Sequence, residues 1–129
     1  MKIILLSLIV LLITACASGP YSIIDGSRSV ASDSKNYDVY VTAVDGKTSL
    51  NVTKVKKVEP GFRVLELTSA KENPNGYLFS LPFSFEAKPC IRYVVTAQHR
   101  SNIQADARRW QVRVLREEPI AVCQKETNQ

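Results

Sequence analysis

One histidine, three cysteines and a set of arginines are the side chains of this 129-residue sequence with the most specific chemistry. Hydrolysis by a Ser-His-Asp arrangement would have to use His99, since no other histidine is present. No Gly-x-Ser-x-Gly turn exists to present a nucleophilic serine. A lone histidine near a strand end reads more simply as a surface or half-buried polar group. Glycoside hydrolysis needs two carboxylates facing across a cleft. Asp38, Asp45, Glu59, Glu66, Glu72, Glu86, Asp106, Glu117 and Glu118 instead scatter through expected turns and exposed strand faces. Glycine is scarce, at five residues, and no phosphate-cradling loop is visible. Catalysis is therefore not expected, and neither is a cofactor.

The cysteines separate into two groups. Lys2 precedes an apolar run, Ile3 to Ile13, broken only by Ser7. Crossing a bilayer takes roughly 20 apolar residues, so this run fits the core of an export signal instead. It ends in Ile13-Thr14-Ala15-Cys16, which resembles the bacterial lipobox: an aliphatic residue, two small residues, then the cysteine whose thiol accepts diacylglycerol. The resemblance implies cleavage before Cys16 and anchorage by lipid on it. Each buried methylene contributes about 0.8 kcal/mol, so several acyl chains make attachment effectively permanent. Ala17 stands where an aspartate usually marks inner-membrane retention. The expected location is thus the bacterial cell envelope, at the outer membrane facing the periplasm.

With Cys16 lipidated, Cys90 and Cys123 remain as an even pair in an oxidising compartment, and a disulfide is expected. It would close a loop of roughly 34 residues, contributing on the order of 3–4 kcal/mol. A metal site or a reactive thiol are the other readings. Only His99 is available as a soft co-ligand and no Cys-x-x-Cys spacing exists, so no metal is expected.

Removing residues 1–15 leaves 129 − 15 = 114 residues and, with Lys2 gone, a formal charge of +4 instead of +5. That suffices for one domain and a tether. The basic bias is too mild to point to nucleic acid. Its most localised part is Arg92, Arg100, Arg108, Arg109 and Arg113. In an extended segment Arg109, Gln111 and Arg113 face away from Trp110, Val112 and Val114, and Arg92 joins them if its strand pairs alongside. Such a face suits anionic headgroups, a cell-wall polymer or an acidic protein patch. A solvated outer sheet face is the plainer reading. The loop from Arg100 to Arg109 is the best position for a specific contact, because loops on rigid sandwiches commonly carry binding.

The elements that must hold these residues are strands. Residues 16–36, rich in Ser, Gly and Asp, read as the lipidated end and a flexible tether, with a short extended piece near Tyr21 to Ile24 able to dock. The domain then spans 37–129. Tyr37, Val39, Val41 and Ala43 alternate with polar neighbours, and Asp45-Gly46 supplies a tight hairpin. The return, Thr48 to Val58, is lysine-rich and fits an edge strand or a partly irregular connection. Pro60-Gly61 turns into a strand over Phe62 to Thr68. Tyr77, Phe79, Leu81, Phe83 and Phe85 alternate cleanly, with Pro82 demanding an edge or a bulge. Cys90 opens a strand with Ile91, Tyr93, Val95 and Ala97 inward. Trp110, Val112 and Val114 form the last strong one. Glu117-Glu118-Pro119 then turns the chain, so that Ile120 to Cys123 returns toward Cys90. No segment has a helical period beyond a short turn near Gln104 to Arg108. The sum is an all-β, Ig-like or transthyretin-like antiparallel sandwich of about six or seven strands with one disulfide.

Val44-Asp45-Gly46-Lys47 followed by Glu59-Pro60-Gly61-Phe62-Arg63-Val64-Leu65-Glu66-Leu67 resembles the core of PEGA-like surface domains found in small bacterial lipoproteins. The resemblance covers about half of the mature chain and implies a compact sandwich in a cell-envelope setting, without catalytic residues. The chain departs from it at Arg63, where histidine is common, and at Pro89-Cys90, where glycine is common. The expected function is a noncatalytic, membrane-anchored interaction or structural module. Its expected partner is an envelope protein or a cell-wall polymer. An inhibitor of a cell-wall hydrolase, using a protruding ordered loop near Arg100 to Trp110, is the alternative; a hydrolase using His99 is the third.

Overall fold

The computed structural model describes residues 19–127, so the expected lipidation at Cys16 and the expected export signal before it lie outside the described residues. Those residues form nine strands and a terminal helix. The strands are β1 (Ser22–Asp25), β2 (Asn36–Tyr37), β3 (Val39–Val44), β4 (Lys47–Thr53), β5 (Val55–Val58), β6 (Gly61–Ser69), β7 (Ser80–Ala87), β8 (Ile91–His99) and β9 (Trp110–Pro119); α1 is Ala121–Thr127. One sheet runs β4-β3-β6-β7. In the other, β9 covers one side of β8, β1 and β2 share its opposite side, and β5 lies beyond β1. The expected two-sheet sandwich and its disulfide are thus present, with Ile24, Val39, Val41, Leu65, Leu67, Tyr93, Val95 and Ala97 in the core between the sheets.

Three expectations need correction. The first is the extent of the tether, although the extended piece expected near Tyr21 to Ile24 does dock. Ser22–Asp25 is buried at every position, pairing parallel to β8 and antiparallel to β5. An interior strand covered on both faces needs no alternation, so Ile23 and Ile24 give no period-two signal. Its polar ends are satisfied: Ser22 Oγ donates to Lys88 O at 2.6 Å, and Asp25 accepts from Ser27 and Arg92. Residues 27–35 are irregular but bound, through Arg28 to Glu118 and through His99 N–H to Lys35 O.

The second is the lysine-rich return, which lies at an edge as expected but is two strands, one at the edge of each sheet. β4 pairs with β3 in one sheet and β5 with β1 in the other, the chain changing sheets at Lys54. Asp38 is at another of the four crossings, between β2 and β3. The Lys54 ammonium meets the Asp38 carboxylate at 2.9 Å, so the two crossings brace each other. Gly26 is obligatory at this corner, because a Cβ there would lie 2.2 Å from Val39 O.

The third is the C-terminus. β9 continues through Glu117 and Glu118 to Pro119 where a turn is expected, and the chain then forms α1, which no helical period announces. One helical turn carrying the second cysteine brings Cys123 to Cys90, with Cα atoms 5.3 Å apart.

Other placements agree with expectation. Asp45 and Gly46 take φ of 50° and 82°, the left-handed pair of a tight hairpin. β7, with Pro82, is an edge strand. Its Phe83 and Phe85 pack on the core, but Tyr77 precedes the strand and is exposed. Trp110 and Val112 pack inward, whereas Val114, expected inward, is exposed on the β9 edge.

The registers define two ends. Ser22, Val58, Gly61, Ala87, Cys90 and Pro119 gather at one, hereafter the Cys90 end. Tyr37, Ser69, Ser80, His99 and Trp110 gather at the other, the His99 end.

Candidate functional site at the His99 end

β8 and β9 carry their hairpin loop at the His99 end, and the loop is fixed from inside and outside. Arg100 N–H donates to Arg109 O at 3.1 Å across its neck, and a 3-10 turn covers Gln104–Asp106. Ser101 Oγ donates to Asp106 Oδ2 at 3.1 Å, and Ala107 is fully buried beneath. The neighbouring loop after β6 holds it from the side. Lys71 Nζ donates to Ser101 O at 2.8 Å, Gln104 Nε2 donates to Asn73 O, and the Arg108 guanidinium lies 4.9 Å from the Phe79 ring centre. Asn73 shapes that second loop by accepting the N–H groups of Asn75 and Tyr77 on its side chain.

Exposed on this braced pair of loops are Tyr77, Leu78 and Ile103, the first and last more than three-fifths accessible. Arg100, Arg108 and Arg109 are exposed at the same end. Arg109 also meets Asp106 at 3.4 Å. Beside them, Gln98, His99, Arg100, Arg109, Trp110 and Gln111 line an open cleft of about 450 Å³.

Not all the expected arginines come together. Arg113 is exposed on β9 opposite Thr96. Arg92 does not join that group: β8 and β9 pair, but Arg92 faces Glu118 toward the Cys90 end. Its guanidinium meets the buried Asp25 carboxylate at 2.8 Å, with Arg28 3.4 Å away on the other side. Burial pushes the Asp25 carboxyl up, yet the Ser27 hydroxyl and amide, Arg92 and Arg28 outweigh it and hold it below the usual carboxylate range. Arg92 is therefore a structural ion-pair partner.

His99 is not at the surface. It is 1% exposed, with Nε2 and Ser69 Oγ 2.6 Å apart and no partner for Nδ1 among the described residues. The ring stacks on Trp110 and takes Tyr37 edge-on. Burial, then the nearby Lys71 charge, lowers its pKa to about 4 against the pull of Asp106, so the imidazole is neutral at pH 7. Ser69 is equally buried and its hydroxyl also accepts the Lys71 N–H. A serine–histidine pair thus exists, but it joins the two sheets from inside, and no carboxylate is bonded to the imidazole. Among the described residues no group of three or more His, Cys, Asp or Glu could hold a metal ion, and no helix is long and apolar enough to cross a membrane.

The sequence did not reveal Tyr77, Leu78 and Ile103 as a shared surface, nor Lys71 as a buried brace. Tyr77 extends the alternation of β7, which hides that the strand starts three residues later. Lys71 reads as one more polar loop residue, since only the fold brings Ser101 to it. No protein-family model, no curated protein and no solved structure matches the chain.

Proposed function

We propose that this chain is a noncatalytic lipoprotein of the bacterial cell envelope, held by lipid on Cys16 and binding an acidic envelope protein through its His99 end. The lipid anchor rests on the Ile13-Thr14-Ala15-Cys16 sequence after its apolar run. Ala17 favours the outer membrane, periplasmic side. The observation that carries the binding role is the braced loop pair, which shows Tyr77, Leu78 and Ile103 beside Arg100, Arg108 and Arg109. Tyrosine and arginine are prominent among residues that dominate interface energetics. A loop already fixed by its own hydrogen bonds loses little entropy on binding. That same rigidity favours a second reading, an inhibitor whose Arg100–Arg109 loop enters the cleft of a cell-wall hydrolase.

Crosslinking in intact source cells tests the proposal. Capture of one protein in near-equal amount, lost in Arg108→Ala plus Arg109→Ala, is the expected result. If that protein is a wall hydrolase inhibited by the purified domain, the inhibitor reading replaces the simpler one. Recovery of abundant envelope proteins alone, unchanged by the substitutions, overturns both.

A further inference from the structure

We infer that the Cys90 end of the sandwich rests on the lipid headgroups of the membrane that holds Cys16, so that the His99 end always points away from it. The inference depends on the lipid-anchor reading above. Its geometric basis is the short connection left once β1 is part of the sheet. Tyr21 is already pinned: its carbonyl accepts the Cys90 N–H at 2.8 Å and the Cys123 Sγ lies 3.6 Å away, while Lys57 Nζ sits 4.4 Å from its ring centre. From Cys16 to Tyr21 is 21 − 16 = 5 residue steps, which reach at most about 18 Å.

The sandwich is longer than that reach. From Ile91 to His99, β8 advances eight residues, or about 26 Å. Turning the domain over, to bring the Arg100–Arg109 loop to the lipid, would lift Tyr21 about 26 Å above the surface, beyond the connection. The inverted orientation is thereby excluded, and among those left the chemistry of the Cys90 end decides which surface meets the lipid.

The chemistry of that end fits a lipid surface. Phe62 and Val122 are exposed there, each more than three-fifths accessible. Lys57 and Lys88 are offset by Glu59 and Glu86, all exposed. The contact is therefore apolar and interfacial, without a basic patch. Weak contacts suffice, since tethering at such short range gives a high effective concentration.

The test uses the full acylated protein in phosphatidylcholine–phosphatidylglycerol vesicles carrying a headgroup spin label. Trp110, the native tryptophan, reports the His99 end; Phe62→Trp adds an exposed reporter near the Cys90 end. The expected result is loss of most of the added emission on including labelled lipid, with Trp110 emission kept. Inserting a flexible segment of about 20 Gly and Ser residues after Ser18 should restore the lost emission, because its mean span then approaches the length of the domain. Equal quenching of both tryptophans overturns the seating and leaves the anchor intact. So does an unquenched Phe62→Trp on acylated protein, which would mean that a second copy or another protein covers this end. Absence of acyl mass on Cys16 overturns the anchor reading and this inference with it.

Discussion

Replacing Cys90 and Cys123 together by alanine should remove about 5 kcal/mol of unfolding free energy, through the unfolded chain more than the folded one. The cysteines are 33 residues apart. Chain entropy for that loop, −2.1 − 1.5R ln n, is about −12.5 cal/mol/K, or about 3.7 kcal/mol at 25 °C. Both side chains are buried, so loss of sulfur packing adds about 1 kcal/mol. For a domain whose total stability is about 5–15 kcal/mol, the remainder is small enough to measure easily. α1 should suffer first. It has seven residues, too few to hold a helix alone, and Cys123 is its covalent fastening to the sheet.

A second substitution isolates the backbone from the crosslink. Cys90 has φ of 60°, a conformation that costs a residue with a Cβ about 1–2 kcal/mol. Cys90→Gly with Cys123→Ala should therefore be about 1 kcal/mol more stable than the double alanine chain, despite glycine's freer unfolded state. Urea unfolding at pH 7, followed by Trp110 at the far end of the sandwich, measures both differences, and amide exchange over residues 121–127 follows α1. A double alanine chain within about 1 kcal/mol of the oxidised parent would refute the chain-entropy account. A glycine variant no better than the alanine one would refute the assignment of strain to Cys90.

Two further predictions concern buried charge. Stability should fall by about 3 kcal/mol as pH drops from 6.5 toward 4, because the unfolded imidazole takes its proton at 6.5 while folded His99 resists to about 4. His99→Asn, unfolded in urea across that range, should lack this slope; an unchanged slope would assign it to other groups. Asp25→Ala should cost about 3 kcal/mol at pH 7, since Arg92 is left half-buried without its carboxylate. As the folded Asp25 pKa is lowered, the pair's contribution is complete above pH 3.8 and is lost only below it. A loss under about 1 kcal/mol in urea would show that the pair does little more than exposed ion pairs do.

The parts of the fold legible in the sequence are those where one face is buried and the other wet. β3 alternates buried and half-buried side chains along its whole length, and Pro82 marks its strand as an edge. The left-handed Asp45-Gly46 turn is encoded by its two residues alone. Cysteine parity points to the disulfide although α1, which carries Cys123, has no helical period, since parity does not depend on secondary structure. The candidate surface was half legible. Arg100, Arg108 and Arg109 announce themselves by charge, but Tyr77 and Ile103 become neighbours of theirs only because Lys71, Asn73 and Gln104 tie two loops together. Arg92 carries the same charge and is used up inside the fold, which no local pattern signals.

The segment that composition makes a tether, apart from its docking piece near Tyr21 to Ile24, has the largest consequence. Composition between Ala17 and Asn36 is that of a linker, and a strand buried on both faces lacks the alternation that would correct the impression. A flexible chain of about 20 residues would span roughly 25 Å on average and far more when stretched, letting the domain present either end to the membrane. With Ser22–Asp25 in the sheet, Tyr21 stands five residue steps from the proposed anchor at Cys16, less than the length of the sandwich itself. Two side chains decide which regime holds: Ile24, in the core, and Asp25, neutralised by Arg92 and Arg28. On the proposed lipid anchor, a change that releases β1 would alter where the arginine loop points as well as how stable the domain is, which couples β1 docking to the proposed partner access.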